Sequence, residues 1–546
     1  MYFAGNSQRI LRAVQVFVLV LATRSPAVTP VEFTSSNLPI VVIDTYGQEI
    51  PDTVRIAAHM GIIDNGPGSR NHLTDPFNGY DGRIAIELRG SSSLWYPKKQ
   101  YRFETQDSFG DNLNVPLLGL PPENDWVFYG PYVDQSLIRN VLAYQLSRAI
   151  GRYASRTRYC ELVINGDYRG LYVLLETVKR DAHRVDIAAL GEADTTGTAL
   201  TGGYILKIDR FAGESLGYWE SDHQVIYQYH YPKPDRILPA QTAYIQSFME
   251  QFETAMSGSN PGDSATGYPV YIDVDSFVDH FLLNELAKNV DAYRLSAFLY
   301  KKRDDHGGKL YAGPIWDFNL SFGKAWFPDD EWVYDQWQVN YNDTHPADPY
   351  QVPFWWIVLS QEPDFRQRVE ARWQELRTST FRLDSLLDRI DVLVAETAEA
   401  RVRNFQRWPN PDYPHTYEEE ILQLKGWLAH RVLWIDGHLQ RLSLGPVPGD
   451  KDPNPPLTLG PNVPNPFNLC TTIPYGLAIR SPVRITVLNL RGETIRTLLN
   501  GIQPPGVHVV RWDGKTRQGI PAASGDYIIR IESREAAVRR IMTLLK

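Results

Sequence analysis

The sequence predicts an α+β chain that ends in a small all-β sandwich, and three observations carry that reading. From Leu38 to Ile208, alternating apolar segments punctuated by turn residues repeat as strands and hairpins. Between Gln351 and Leu442 the apolar period becomes helical, and beyond the proline- and glycine-rich stretch Gly445 to Pro456 the alternation is β throughout. A chain of 546 residues is too long for one ordinary core, so several units are expected. The boundaries read as a leader at 1–30, an N-terminal strand and loop segment at 31–80, a main domain at 81–444, a linker at 445–456 and the sandwich at 457–546.

At 43% hydrophobic and 22% charged residues, the chain is globular rather than disordered. A net charge of −9 with no basic run argues against a nucleic-acid partner. Arg9 and Arg12 precede the apolar run Ala13 to Ala22, with small residues at Ala22, Ser25 and Ala27. That is the layout of a secretory signal peptide, too short to span a bilayer, and it places the mature protein outside the cell or on its surface without a membrane span. Cys160 and Cys470 fall in different predicted domains, which argues against a disulfide framework, and two cysteines exclude zinc sites built on cysteine pairs.

In chain order, Leu38 to Ile43 reads as a buried strand, residues 65–78 as loop, and Ile84 to Leu88 as a half-exposed strand. Gly90-Ser91-Ser92-Ser93 is a small-residue turn that can bring backbone N–H groups against phosphate, and Lys98 and Lys99 follow it before the strand around Tyr101 and Phe103. Val141 to Arg148 reads as a helix. Tyr159 to Ile164 and Tyr168 to Glu176 form a hairpin around Asn165-Gly166-Asp167, and Lys207 lies on the strand Tyr204 to Ile208. Asp275 is a plausible N-cap for a helix carrying Phe277, Val278, Phe281, Leu282 and Leu286 and ending near Asn289. A second hairpin then joins Leu295–Tyr300 to Leu310–Trp316. With its turn centred between Asp305 and His306, Lys302 faces Lys309 and Arg294 faces Asp317. The backbones of Asp291 and Asp317 then lie about 10 Å apart, at about 3.3 Å per residue, and Asn319 shares the side of Asp317 if the chain stays extended. Farther on, Thr416 and Glu419 form a capping box, and Trp355, Trp356, Trp373, Trp408, Trp427 and Trp434 read as core.

Asn289-Val290-Asp291, Phe298-Leu299-Tyr300 and Ile315-Trp316-Asp317-Phe318-Asn319 with Phe322-Gly323 resemble the signature of the CotH family, the spore coat protein H kinases. The likeness extends to Leu88–Ser93 with Pro97–Arg102, Asn124-Asp125-Trp126, Leu137–Asn140, Asn165–Gly170 and Gly202–Ile205, and spans roughly residues 80 to 440. The resemblance implies a kinase-like fold and an atypical protein kinase that moves the γ-phosphoryl of ATP to a serine or threonine of a protein substrate. Asp291 would be catalytic, while Asp317 and Asn319 would hold Mg2+ or Mn2+. Lys98, Lys99 or Lys207 would meet phosphate, with Glu176 pairing such a lysine as an ion pair does in kinases. The family more often has a second aspartate at the position of Asn319, and asparagine removes a charge there. A non-catalytic surface or adhesion protein, or a metal-dependent hydrolase or nucleotidyl transferase, would use the same framework.

The tail resembles FlgD-like immunoglobulin-type domains and related C-terminal sorting domains. The matching residues are Pro464–Asn468, Trp512-Asp513-Gly514, Ser524–Tyr527 and Met542–Lys546, with Val483, Ile485 and Val487 alternating as a strand. Such a tail implies a partner in an export machinery.

Overall fold

A computed structural model of the chain describes residues 31–210, 217–326, 331–410, 413, 415–439, 457–460, 462, 465–477, 480–504, 506–534 and 536–545. The expected leader at 1–30 and linker at 445–456 lie outside the described residues.

Seven strands close into a barrel: β1 (Ile40–Asp44), β2 (Ile56–Ile63), β3 (Tyr80–Arg89), β4 (Gln100–Gln106), β5 (Asp125–Tyr129), β6 (Thr157–Ile164) and β7 (Asp167–Glu176), with helix α1 (Arg139–Ala149) between β5 and β6. Their order is β1-β2-β3-β4-β5-β7-β6, and β1 pairs in parallel with β6 to close the ring. Residues 31–80 thus contribute two barrel strands. The two-residue period divides the side chains between two cores: Tyr172 and Leu174 point into the barrel, while Leu171, Val173 and Leu175 join the larger core outside it. The β6–β7 turn has positive φ at Asn165 (52°) and Gly166 (77°), the conformation that matches strand twist and favours Asn-Gly. β3 departs from the half-exposed expectation, because Ile84 to Glu87 are all buried. Its outer face is covered by the arginines that Glu87 holds, Arg55 at 3.0 Å and Arg102 at 2.7 Å.

A second, five-stranded sheet is formed by β8 (Tyr204–Ile208), β9 (Tyr218–Glu220), β10 (Ile226–Tyr231), β11 (Ala297–Lys301) and β12 (Leu310–Ala312), in the order β9-β10-β8-β11-β12. Around it lie α2 (Pro239–Ser257), α3 (Val274–Ala287), α4 (Phe354–Gln361), α5 (Pro363–Arg377), α6 (Leu383–Glu396), α7 (Ala398–Arg407) and α8 (Tyr417–His438). Trp355, Trp356, Trp373 and Trp427 are buried among them. The Thr416 capping box forms at the start of α8, with the Glu419 N–H donating to Thr416 Oγ1 and the Thr416 N–H to Glu419 Oε2. Among the described residues no helix is long and apolar enough to cross a membrane.

Two buried arginines tie α8 to the rest. Arg139 pairs with Asp134 at 2.7 Å and Glu420 at 2.6 Å and donates to the carbonyls of Ser321 and Phe322. Arg431 pairs with Glu285 at 3.0 Å and donates to the carbonyls of Glu285, Tyr334 and Gln336.

The tail forms two packed sheets from β13 (Leu457–Leu459), β14 (Thr471–Leu477), β15 (Ser481–Asn489), β16 (Thr494–Gln503), β17 (Gly506–Trp512), β18 (Gly525–Glu532) and β19 (Ala537–Leu544). The orders are β13-β14-β17 and β16-β15-β18-β19, around a core that includes Tyr475, Ile485, Trp512 and Ile529. Cys160 and Cys470 are both free thiols.

Arg139→Met leaves two buried carboxylates without their cation, so unfolding in urea is expected to show a loss of about 3–5 kcal/mol. Adding Asp134→Asn and Glu420→Gln should recover part of it. A loss below about 1 kcal/mol would mean that the cluster does not hold the fold.

His280 and His430 give the fold an acid limit. Burial pushes both imidazoles down from their ordinary range to about 4. The unfolded chain takes up these protons near pH 6.5 and the folded chain only near 4. Stability present above pH 6.5 is therefore lost as pH falls toward 4, by up to about 3 kcal/mol per histidine. Between pH 7 and pH 4, His280→Gln should reduce the pH slope of the unfolding free energy by about one proton relative to the wild type. An unchanged slope in that variant would contradict a buried neutral His280.

Candidate active site

Helix α3 opens the functional region. Asp273, rather than the expected Asp275, caps it, with its side chain accepting from the Ser276 N–H at 2.9 Å. Asp275 instead sits in the first turn, paired with Arg368. The helix ends at Ala287, two residues early, because Lys288 turns left-handed at φ 42° and its N–H satisfies the end carbonyls. The hairpin keeps the expected register: Tyr300 faces Tyr311, and the Lys302 N–H donates to the Lys309 carbonyl. Its pairing ends where the Gly313 N–H donates to the Phe298 carbonyl, just before Pro314, so the expected pairing of Arg294 with Asp317 does not form. Pro314 has no N–H to continue it.

The two acid-bearing segments instead run side by side. The Val290 N–H donates to the Leu320 carbonyl, and the Phe322 N–H to that of Ala287. This brings Asp291, Asp317 and Asn319 to one cavity of about 360 Å³. Its other walls are Arg89 at the end of β3, the Ser91–Ser93 turn, Arg102 of β4, and Lys207, Asp209 and Arg210 at the end of β8.

Asp291 is 8% exposed, and Asn289 Oδ1 accepts its backbone N–H. Its carboxylate faces Arg294 at 3.4 Å, and Arg294 is in turn held by Asp348 at 3.3 Å and stacked 4.0 Å from the Tyr341 ring centroid. Burial raises its pKa, the Arg294 and Arg210 charges oppose that, and Asp209 and Asp348 add to it.

Asp317 adopts φ 61°, a left-handed conformation uncommon outside glycine and asparagine. Two side chains of α1 hold it there: Tyr144 OH accepts the Asp317 N–H at 3.1 Å, and Asn140 Oδ1 accepts the Phe318 N–H at 2.5 Å. The chain is therefore not extended at Asp317, yet Asn319 still reaches the cavity. Burial first, then the Asp291 and Asp209 charges, push the Asp317 carboxyl up to about 6, with Arg89 and Arg210 pulling the other way. Three carboxylates thus repel one another across a space rimmed by four cations. Among the described residues no group of three His, Cys, Asp or Glu is near enough to hold a metal by itself. Oxygen donors such as Asp317 and Asn319 suit magnesium, which keeps waters and phosphates as its remaining ligands, and a divalent cation would relieve the repulsion around Asp317.

Of the residues expected to meet phosphate, Lys207 lines the cavity, 3.3 Å from Asp209. Lys98 also borders it, but its ammonium donates to the carbonyls of Leu171 and Pro131 and to Asn404 Oδ1. Burial pushes its pKa well below the lysine range. Lys99 is outside, donating to the Leu94 carbonyl at 2.5 Å. Glu176 is also outside and pairs with Arg156 at 2.7 Å rather than with a lysine. The expectation for Lys99 and Glu176 is thereby corrected: neither lines the cavity, and Leu94 and Arg156 satisfy them instead. Sequence reasoning missed Arg89, Arg102, Asp209 and Arg210. The available signal was a charge at the exit of an apolar strand, as in Leu88-Arg89 and Ile208-Asp209-Arg210.

The CotH kinase protein family matches residues 86–435, and the FlgD Ig-like domain family matches residues 477–537. No curated protein matches the chain. Among solved structures, latent dimeric PorU from Porphyromonas gingivalis is similar at 15% identity over 16% of this chain and 9% of that one, with a TM-score of 0.15. FlgD from P. aeruginosa is similar at 20% identity over 14% and 64%, with a TM-score of 0.12. The alkylpurine DNA glycosylase AlkC from Pseudomonas fluorescens, bound to DNA containing an abasic site analogue, is similar at 9% identity over 37% and 54%, with a TM-score of 0.13. The chain therefore spans less than two thirds of each of these proteins.

Asn140→Ala strands the buried Phe318 N–H and frees the strained turn at Asp317. Unfolding in urea is expected to show a loss of about 1–3 kcal/mol. An unaltered stability would mean that Asn140 does not support Asp317.

Proposed function

Because the chain belongs to the CotH kinase protein family, we propose that it is an exported protein kinase that moves the γ-phosphoryl of ATP to a serine or threonine hydroxyl of an exported or surface protein. One observation carries the reading: Asp291, Asp317 and Asn319, separated by a hairpin, line one cavity with Arg89, Arg102, Lys207 and Arg210. A cavity that sets acids beside cations suits a polyphosphate and its metal. The FlgD-like tail and the leader-like N-terminus support export.

Asp291 orients the acceptor hydroxyl and takes its proton on a carboxylate oxygen. Its raised pKa brings it nearer the ideal for a general base, while Arg294 fixes its direction. The acceptor oxygen forms its bond to the γ-phosphorus as the bond to the β-phosphate bridging oxygen breaks, and ADP leaves with that electron pair. Arg89, Arg102, Lys207 and Arg210 balance phosphate charge along the wall. Asp317 and Asn319 would hold the magnesium, which when bound neutralises charge on the phosphates. A second reading, a surface protein without turnover, draws support from Asn319, where the family more often has an acid.

Labelled ATP with magnesium or manganese, incubated with the chain and exported proteins, tests the proposal. Asp291→Asn is expected to lower single-turnover phosphorylation by roughly a hundredfold or more while ATP affinity changes much less. Full turnover in that variant removes Asp291 from the chemistry. Tight ATP binding by the wild type with no labelled acceptor would favour the second reading.

A further inference from the structure

The charge of the chain is unevenly divided. Residues 457–546 carry twelve Lys and Arg against five Asp and Glu, whereas the preceding residues carry forty-three against fifty-nine. Strands β14 and β17 pack toward α8. The outer face of the other sheet, β16-β15-β18-β19, is therefore turned away from the body. On that face the register sets Arg530 opposite both Thr486 and Arg539, with Arg484 two residues along β15 and opposite Glu532. All three arginines are exposed. Arg530 has an exposed pair with Glu532 at 2.6 Å, whereas Arg484 and Arg539 have no acidic partner among the described residues. Like charges directly opposite on paired strands repel, and an anionic surface laid across them removes that repulsion.

The same face carries an apolar patch, bordered by Asp526, which accepts from Thr543 Oγ1 at 2.7 Å. Leu488 lies opposite Ile528, and Ile528 opposite Ile541. Ile541 is 57% exposed, and Leu490, in the turn just beyond Leu488, is 64% exposed. None of these four belongs to the sandwich core, which is built from alternate residues such as Ile485, Val487, Ile529 and Ile531.

We propose that this face docks the protein on an anionic lipid surface. Arg484, Arg530 and Arg539 meet headgroup phosphates, which guanidinium groups bind in a bidentate way. Leu490 and Ile541 reach the boundary between headgroups and acyl chains. Exposed aliphatic side chains beside the arginines gain nothing from a dissolved polyanion but do gain from that boundary, which is why a lipid surface is favoured over a soluble polymer. The inference does not depend on the kinase reading.

The test is co-sedimentation of the full chain with vesicles of phosphatidylcholine alone or mixed equally with phosphatidylglycerol. Binding is expected to the anionic vesicles only and to weaken as salt rises. Arg484→Gln/Arg530→Gln/Arg539→Gln should lower affinity roughly a hundredfold, at about fivefold for each arginine. Leu490→Ser/Ile541→Ser should lower it about tenfold. The control Arg511→Gln/Lys515→Gln/Arg517→Gln removes the same charge from exposed positions outside this face and should have little effect. All of these replace exposed side chains, so a melting temperature near that of the wild type confirms an intact fold. Absence of vesicle binding overturns the proposal, as does an equal loss in the control, which would reduce the effect to net charge. Displacement by inorganic polyphosphate or a DNA duplex, with the Leu490/Ile541 variant unaffected, would identify a dissolved polyanion and also overturn it.

Discussion

Two buried guanidinium groups set the conditions for everything else in the body. Arg139 spends its donors on the carbonyls of Ser321 and Phe322, just past Asp317, and on Asp134 and Glu420. Arg431 takes the carbonyl of Glu285, just before α3 gives way to the Asp291 loop. Irregular backbone can be buried only if its carbonyls find donors, and a buried guanidinium can be tolerated only if its donors find acceptors. Loops and arginines meet each other's requirement. Both acidic loops are consequently anchored to one helix, α8, that contributes no residue to the cavity itself.

Much of this was legible in the sequence wherever a local rule governed. The hairpin register followed from its turn, the β6–β7 turn from Asn165-Gly166, and the α8 cap from Thr416 and Glu419. The α+β body and the all-β tail followed from hydrophobic period alone. What was not legible depended on distant partners. Asp273 and Asp275 are equally good caps on paper; only the backbone path decides between them. Lys98, Lys99 and Glu176 stood in suggestive places, but long side chains go where acceptors or cations are. Lys98 found Asn404 far along the chain, Lys99 found Leu94, and Glu176 found Arg156. Conversely, Arg89 and Arg210 look like ordinary strand-end charges until the fold brings the ends of β3 and β8 to one cavity.

The cavity concentrates unfavourable local states that the surroundings impose. Asp317 is left-handed, and its carboxyl is hemmed in by Asp291 and Asp209. Such features cost of order 1–3 kcal/mol each and persist only where the rest of the fold over-determines them. Tyr144 and Asn140 from α1 fix the backbone, and Arg89 and Arg210 hold the charge in check. The backbone of the site is thus held by neighbouring side chains while its carboxylates still repel one another.

The connectivity also bears on how the protein is made. β1 closes the barrel only by pairing with β6, and Arg139 gains its second acid only when Glu420 arrives at the start of α8. A ribosome delivers these partners in sequence, so the first strand emerges long before its neighbour, and the arginine long before its counter-ion. Contacts so far apart along the chain form slowly and late. The free edge of β1 therefore stays uncovered until β6 has been made, and Arg139 lacks its second acid until the start of α8 follows, so through both intervals the nascent polypeptide depends on being held apart from its own kind.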